Sequence, residues 1–186
     1  MGHKHTSTEI LDGAVAVAFA DGLSRVTYGR VAAHLGISDR TVVYYFPSKE
    51  DLVGEVLLAL GARLVDVLAP AMAGPFPDHL ALARRAWPVL ADEEADRVFA
   101  LFFEANGLAA TGLAPYAELV PLLVGRWVDW AAGLLEGRRD RRRAEAEAAV
   151  ALLDGLLLMR LLGGGGAADR AARRLGVTGR RPPPPP

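Results

Sequence analysis

The chain has 186 residues, 52% of them hydrophobic, and a net charge of −1, which suits one domain or a domain with a small companion. It has no cysteine, which excludes disulfides, thiolate metal sites and cysteine nucleophiles, and no apolar run nears the ~18 residues that a membrane-spanning helix needs. Residues 1–50 hold five Lys/Arg and five Asp/Glu, so a nucleic-acid role must rest on where charges sit, not on their sum.

Apolar residues recur with helical spacing nearly throughout, and the predicted fold is all-α. The polar start, MGHKHTSTE, has no apolar signal core, so no export is expected. A first helix is predicted over 9–21, with Thr6 and Glu9 as a capping box, Gly22 as the stop, and Ile10, Ala14, Val17 and Ala18 as its apolar stripe. A second is predicted over 27–35 with Thr27 as N-cap. A third follows over 39–45, with Ser38 as N-cap and Pro47 beyond its end. Ser48 and Asp51 then open a long helix to about residue 69, and Pro70, Gly74, Pro75 and Pro77 break it. Further helices are predicted over 78–91, 93–108, 115–136, 141–162 and 167–175. The glycines at 163–166 are read as a flexible connection and the Pro-rich end as disordered. These elements divide into a three-helix DNA-binding domain (1–53), a helical ligand-binding and dimerisation domain (54–176) and a tail (177–186).

Residues 28–46 have the pattern of a helix-turn-helix. Val31, Ala32, Leu35, Ile37, Val42 and Tyr45 stand at the positions such a unit buries, and Gly36 supplies the positive φ of the turn. Ser38, Asp39, Arg40, Val43 and Tyr44 are left facing outward, where a short helix enters a major groove. Arg40 has the donors for guanine O6 and N7, or for a phosphate. Thr41 and Tyr44 have hydroxyls for phosphate oxygens, and Thr27 and Lys49 stand at helix starts, where phosphates are favoured. His3, Lys4 and His5 are within reach of an adjacent minor groove. The DNA-binding set is Thr27, Tyr28, Ser38, Asp39, Arg40, Thr41, Tyr44, Tyr45 and Lys49. Asp39 is read as a helix-start charge before a base reader.

The segments EILDGAVAVAFADGL and VTYGRVAAHLGISDRTVVYYFPSKEDL resemble the tetracycline-repressor (TetR) family of bacterial regulators. The resemblance rests on Thr27, the Val31-Ala32 pair, Gly36-Ile37-Ser38, the aromatic pair Tyr45-Phe46 and the run from Lys49 to Leu52. It covers roughly residues 9–53. In the family a tyrosine that touches the DNA backbone stands where this chain has Val43, and Tyr44 is the residue available to replace it. The resemblance implies a cytoplasmic homodimeric regulator. Each subunit would place one recognition helix in half of a palindromic double-stranded operator, and a small-molecule effector in the second domain would release the DNA. The readings kept beside a ligand-released repressor are an activator and a helix-turn-helix module without a ligand.

In the second half, Trp87, Phe99, Phe102, Phe103, Asn106, Tyr116, Trp127 and Trp130 are the candidate lining of an apolar or aromatic effector site, or else part of a helical core. Glu104, Arg126 and Asp129 add polar groups near them. The segment AAVALLDGLLLMRLL is too apolar all round for a solvent-facing helix. Leu152, Leu153, Leu156, Leu157 and Met159 are therefore expected at a subunit interface, with Gly155 allowing close approach; the reading kept beside it is a fully buried central helix of a monomer. RRDRRR at 138–143 reads as a solvated helix start. His34 and His79 have no partner at a recognisable spacing, and no metal set or activated nucleophile is evident. The expectation is no enzyme activity, no cofactor, no metal and no membrane association.

Overall fold

The computed structural model describes residues 5–178, and among them the regular structure is helical. The helices are α1 (Ser7–Asp21), α2 (Tyr28–Leu35), α3 (Asp39–Tyr45), α4 (Lys49–Leu68), α5 (His79–Leu90), α6 (Glu93–Ala110), α7 (Tyr116–Gly133), α8 (Arg139–Gly163) and α9 (Gly165–Arg174). Single 3-10 turns lie at Leu23–Arg25 and Ala69–Ala71. His3, Lys4 and residues 179–186 of the expected disordered tail lie outside the described residues. The described residues form two compact units, one of 5–64 with 97–123 and the other of 65–96 with 124–178.

In the first unit the caps form as expected. Thr6 and Glu9 close a reciprocal capping box, so α1 begins at Ser7. The Thr27 hydroxyl accepts from the Arg30 N–H, and Ser38 from the Thr41 N–H. Ser48 and Asp51 make the same reciprocal pair before α4. Each pair satisfies helix-start donors that have no partner within the helix. Gly36 adopts the left-handed conformation (φ 67°, ψ 32°) that the α2–α3 turn requires. The core of α1–α3 and the first turns of α4 holds Ile10, Ala14, Leu23, Val26, Val31, Val42, Leu52 and Val53, none of them exposed. Gly13 lets α2 approach α1, because a Cβ there would stand 2.8 Å from the Leu35 side chain.

In the second unit α8 packs on α5 and α9. It contributes Ala146, Ala149, Leu153, Leu156 and Leu157 to a core shared with Leu82, Ala83, Ala86 and Trp87 of α5. The expected flexible glycine connection does not form. α8 runs through Gly163, α9 starts at Gly165, and Gly164 alone makes the turn (φ 80°). Arg160 Nε donates to Asp96 Oδ1 at 2.7 Å, and that hydrogen bond raises the Arg160 pKa. Arg84 Nε donates to the Gly176 carbonyl at 2.7 Å and ties the chain beyond α9 to α5.

Candidate nucleic-acid interface and aromatic cluster

α3 is only seven residues long, and Val42 is its one fully buried position. Ser38, Asp39, Arg40, Val43 and Tyr44 are all exposed, Val43 by 39% and Tyr44 by 77%. Tyr44, the residue available to replace the tyrosine that the family pattern has at the Val43 position, therefore offers a large free surface. Arg40 takes part in no ion pair among the described residues, whereas Arg30 is paired with Asp21 at the end of α1. Asp39 lies over the first turn of α2, since a Cβ on Gly29 would stand 3.4 Å from its Oδ2. There its charge favours the positive end of a helix.

Three expected contact residues have no freely exposed hydroxyl. The Tyr45 hydroxyl donates to the His5 carbonyl at 2.6 Å, and its ring meets Tyr44 edge-on at 5.0 Å. Tyr45 thus holds His5, just before α1, against α3. The Tyr28 hydroxyl is buried without a hydrogen-bond partner. Burial, and then the charges of Glu50 and Asp51, push its pKa above the ordinary 10.0. The Thr41 hydroxyl shares a 3.0 Å hydrogen bond with that of Ser38. Thr27 spends its hydroxyl only as an acceptor, so its proton stays available, and Lys49 is exposed at the first turn of α4.

The aromatic residues expected to act together are divided between the two units. Phe99, Phe102, Phe103 and Asn106 lie on α6 in the first unit, within about 100° of arc. The three rings touch, with centroids 5.9–6.1 Å apart. Phe99 is buried and Phe102 and Phe103 half-buried, while the Asn106 Oδ1 is a buried acceptor without a donor. A buried amide oxygen in that state is a ready partner for a ligand N–H or O–H. In the second unit Trp127 and Trp130 stack edge-to-face at 5.6 Å on α7, and Trp87 is 2% exposed in the α5 core.

Tyr116 is not free to line a site. It is 2% exposed, and its hydroxyl donates to the Leu23 carbonyl at 3.1 Å. Burial, with the charge of Glu104, pushes its pKa up to about 12. Glu104 is also committed, accepting from the Leu23 N–H at 2.8 Å and the Ser24 N–H at 2.9 Å. Asp129 is exposed and pairs with Arg143 at 3.1 Å.

On α8, Leu153, Leu156 and Leu157 are 8%, 2% and 0% exposed in the single chain, so they fill the interior and have no surface left for a partner. Leu152 is half-buried. Met159 is exposed, and with Ala148, Ala151, Gly155, Leu158 and Leu162 it forms an outward stripe that carries no charge. His79 does have a partner: its Nδ1 lies 2.6 Å from Glu145 Oε2, which also accepts the His79 backbone N–H at 2.9 Å. The two hydrogen bonds, the backbone one first, lower the Glu145 pKa and close the start of α5. No group of three or more His, Cys, Asp or Glu able to hold a metal occurs among the described residues, and no helix there is long and apolar enough to cross a membrane.

Residues 10–56 match the tetR family of bacterial regulatory proteins. The fold is similar to that of multidrug binding protein EbrR, solved with malachite green: 25% identity over 92% of this chain and 96% of that one, TM-score 0.68. It is similar to a transcriptional regulator from Rhodococcus sp. Rha1, with 20% identity, 93% and 94% of the two chains covered, and TM-score 0.70. A TetR transcriptional regulator from Legionella pneumophila is 21% identical over 94% and 97%, with TM-score 0.62. No curated protein matches the sequence.

Proposed function

We propose that this chain, whose residues 10–56 match the tetR family model, is a TetR-family regulator: a cytoplasmic homodimeric repressor that a small apolar or aromatic effector releases from a palindromic operator. The observation that carries the reading is α3 itself. Its caps and buried Val42 hold it on α2, and Arg40 and Tyr44, about 40° apart around the helix, are left free on one exposed face. Arg40 is the base reader, with donors matched to guanine O6 and N7. Thr27, Tyr44 and Lys49 hold phosphates on either side of it.

One helix this short reaches few base pairs, so useful specificity needs a second copy about one helical turn, ~34–36 Å, away. The outward stripe of α8 supports such pairing. Leu158, Met159 and Leu162 are large apolar side chains left in water on one helix face, and Gly155 would let a partner helix come close. A two-fold contact of this kind is self-complementary. The effector is assigned to the aromatic face of α6, where Phe102 and Phe103 offer ring surface and Asn106 Oδ1 awaits a donor. That multidrug binding protein EbrR is found with malachite green supports an aromatic ligand class.

Selection of the full chain against random duplexes tests the reading. The expected result is a palindrome with half-sites one turn apart. Failure to enrich any site, both before and after unfolding and refolding to strip bound ligand, overturns it.

A further inference from the structure

The turn between α1 and α2 is held by a side chain from about eighty residues along the chain. The 3-10 turn Leu23–Arg25 has no side-chain cap of its own from neighbouring residues. Its first two N–H groups instead donate to the two carboxylate oxygens of Glu104, Leu23 to Oε2 at 2.8 Å and Ser24 to Oε1 at 2.9 Å. Gly22 makes room for this, because at its φ of 94° a Cβ would stand 3.0 Å from Oε2. Tyr116 grips the same residue from the other side through the Leu23 carbonyl. Every peptide group of Leu23 is thus held by side chains of α6 and α7.

α6 is two-faced. Its aromatic cluster and Asn106 occupy one arc, and Glu104 lies about 150° from the middle of that arc. Arg97, seven residues before Glu104, shares its face, and its guanidinium sits 5.3 Å from the Phe19 ring centroid of α1. So the face of α6 opposite the aromatics meets α1 and the turn that leads into α2, at two points two helical turns apart. Just beyond the gripped turn come Val26, which is not exposed, and the Thr27 cap of α2. The Asp21–Arg30 pair braces the turn from outside. A displacement of the turn is therefore passed on to α2, and through the tight Gly36 turn to α3.

We infer that Glu104 is the positioning residue through which the aromatic face of α6 sets the placement of the α2–α3 reader. This rests on the proposed function for the meaning of the output, but not for the coupling itself. A carboxylate suits the task because it accepts both N–H groups at once. Glutamine keeps the size but turns one acceptor into a donor aimed at an N–H. An effector that rotates or shifts α6 moves the carboxylate, and the two hydrogen bonds either drag the turn or break.

The test is a mutant cycle in the full chain. Phe102→Trp adds bulk on the aromatic face, away from Glu104, and stands in for a ligand. The readouts are affinity for the selected duplex and hydrogen exchange at the Leu23 and Ser24 amides. Phe102→Trp is expected to change affinity at least five-fold in the wild-type background and less than two-fold with Glu104→Gln. Equal fold-changes in both backgrounds would show that coupling bypasses Glu104, and no change in either would show that the aromatic face is uncoupled. Both results overturn the inference. A purely structural role would lower the melting temperature and scale affinity equally in both backgrounds. If Glu104→Gln does not fold, Glu104→Asp, which keeps the charge but loses reach, takes its place. If the wild type selects no duplex, the functional reading fails by itself. The amide arm still decides, because unchanged exchange at Leu23 and Ser24 in Phe102→Trp overturns the coupling.

Discussion

Asp154 is half-buried on α8, between the buried Leu153 and Leu156 along the chain, and takes part in no hydrogen bond or ion pair among the described residues. Burial pushes its pKa from the ordinary 3.8 up to about 6. At ~1.4 kcal/mol per pH unit, carrying the charge above pH 6 costs the folded chain up to about 3 kcal/mol relative to the unfolded one. The sign follows from proton counts. Between about pH 4 and 6 the folded state binds more protons than the unfolded state, so stability falls as pH rises through that window, and the full cost is present above it. Asp154→Asn removes the charge and keeps the shape. It is expected to stabilise the protein by about 1–3 kcal/mol at pH 7.5, the lower end reflecting an amide that also lacks partners. Near pH 4 it should make little difference. Urea unfolding followed by circular dichroism at both pH values, at one fixed protein concentration, measures this. A variant less stable than wild type at pH 7.5, or one with the same stability difference at both pH values, would refute the reasoning.

Other expectations follow from single contacts. Arg40→Ala should weaken binding to the selected site by about 1–3 kcal/mol and relax one base position; a loss uniform across sequences would make Arg40 a phosphate contact. The pair Leu158→Arg and Leu162→Arg places charge on the outward stripe of α8. It should give monomers in analytical ultracentrifugation with unchanged helix content, and dimers of normal duplex affinity would remove the interface assignment. Gly13→Ala drives a methyl into Leu35. Overpacking of about 1–3 kcal/mol there exceeds the gain of about 1 kcal/mol in helix propensity, so the melting temperature should fall, and a rise would show that Leu35 moves aside freely.

What the sequence made legible was local. Thr6, Thr27, Ser38 and Ser48 each bond within three residues of themselves, and Gly36 is read from its own φ. The helix starts, the short α3 and its outward residues follow from such signals. α8 was harder to read, because an all-apolar run points to an interface but also fits a core. Burial separates the two, giving Leu153, Leu156 and Leu157 to the interior and Leu158, Met159 and Leu162 to the surface. The glycines at 163–166 mislead for a related reason. Helix interiors tolerate glycine at a cost of about 1 kcal/mol when neighbours hold them, and here only Gly164 needs the conformation that glycine permits.

The roles of Glu104 and Tyr116 had no local signal at all. On composition each is one more polar group beside aromatic residues, which is how a ligand site also looks. What distinguishes them is partners 81 and 93 residues away, at Leu23. Both partners are backbone groups, and a backbone group leaves no mark on the residue type at its position. The indirect trace is Gly22, which reads as an ordinary helix stop yet is also the position where a side chain would meet the Glu104 carboxylate. A glycine that ends a helix and a glycine that admits a distant acid look alike in sequence. Only the 2.8 and 2.9 Å hydrogen bonds behind it tell them apart, and those bonds make α6 a structural neighbour of the reader as well as the bearer of the aromatic cluster.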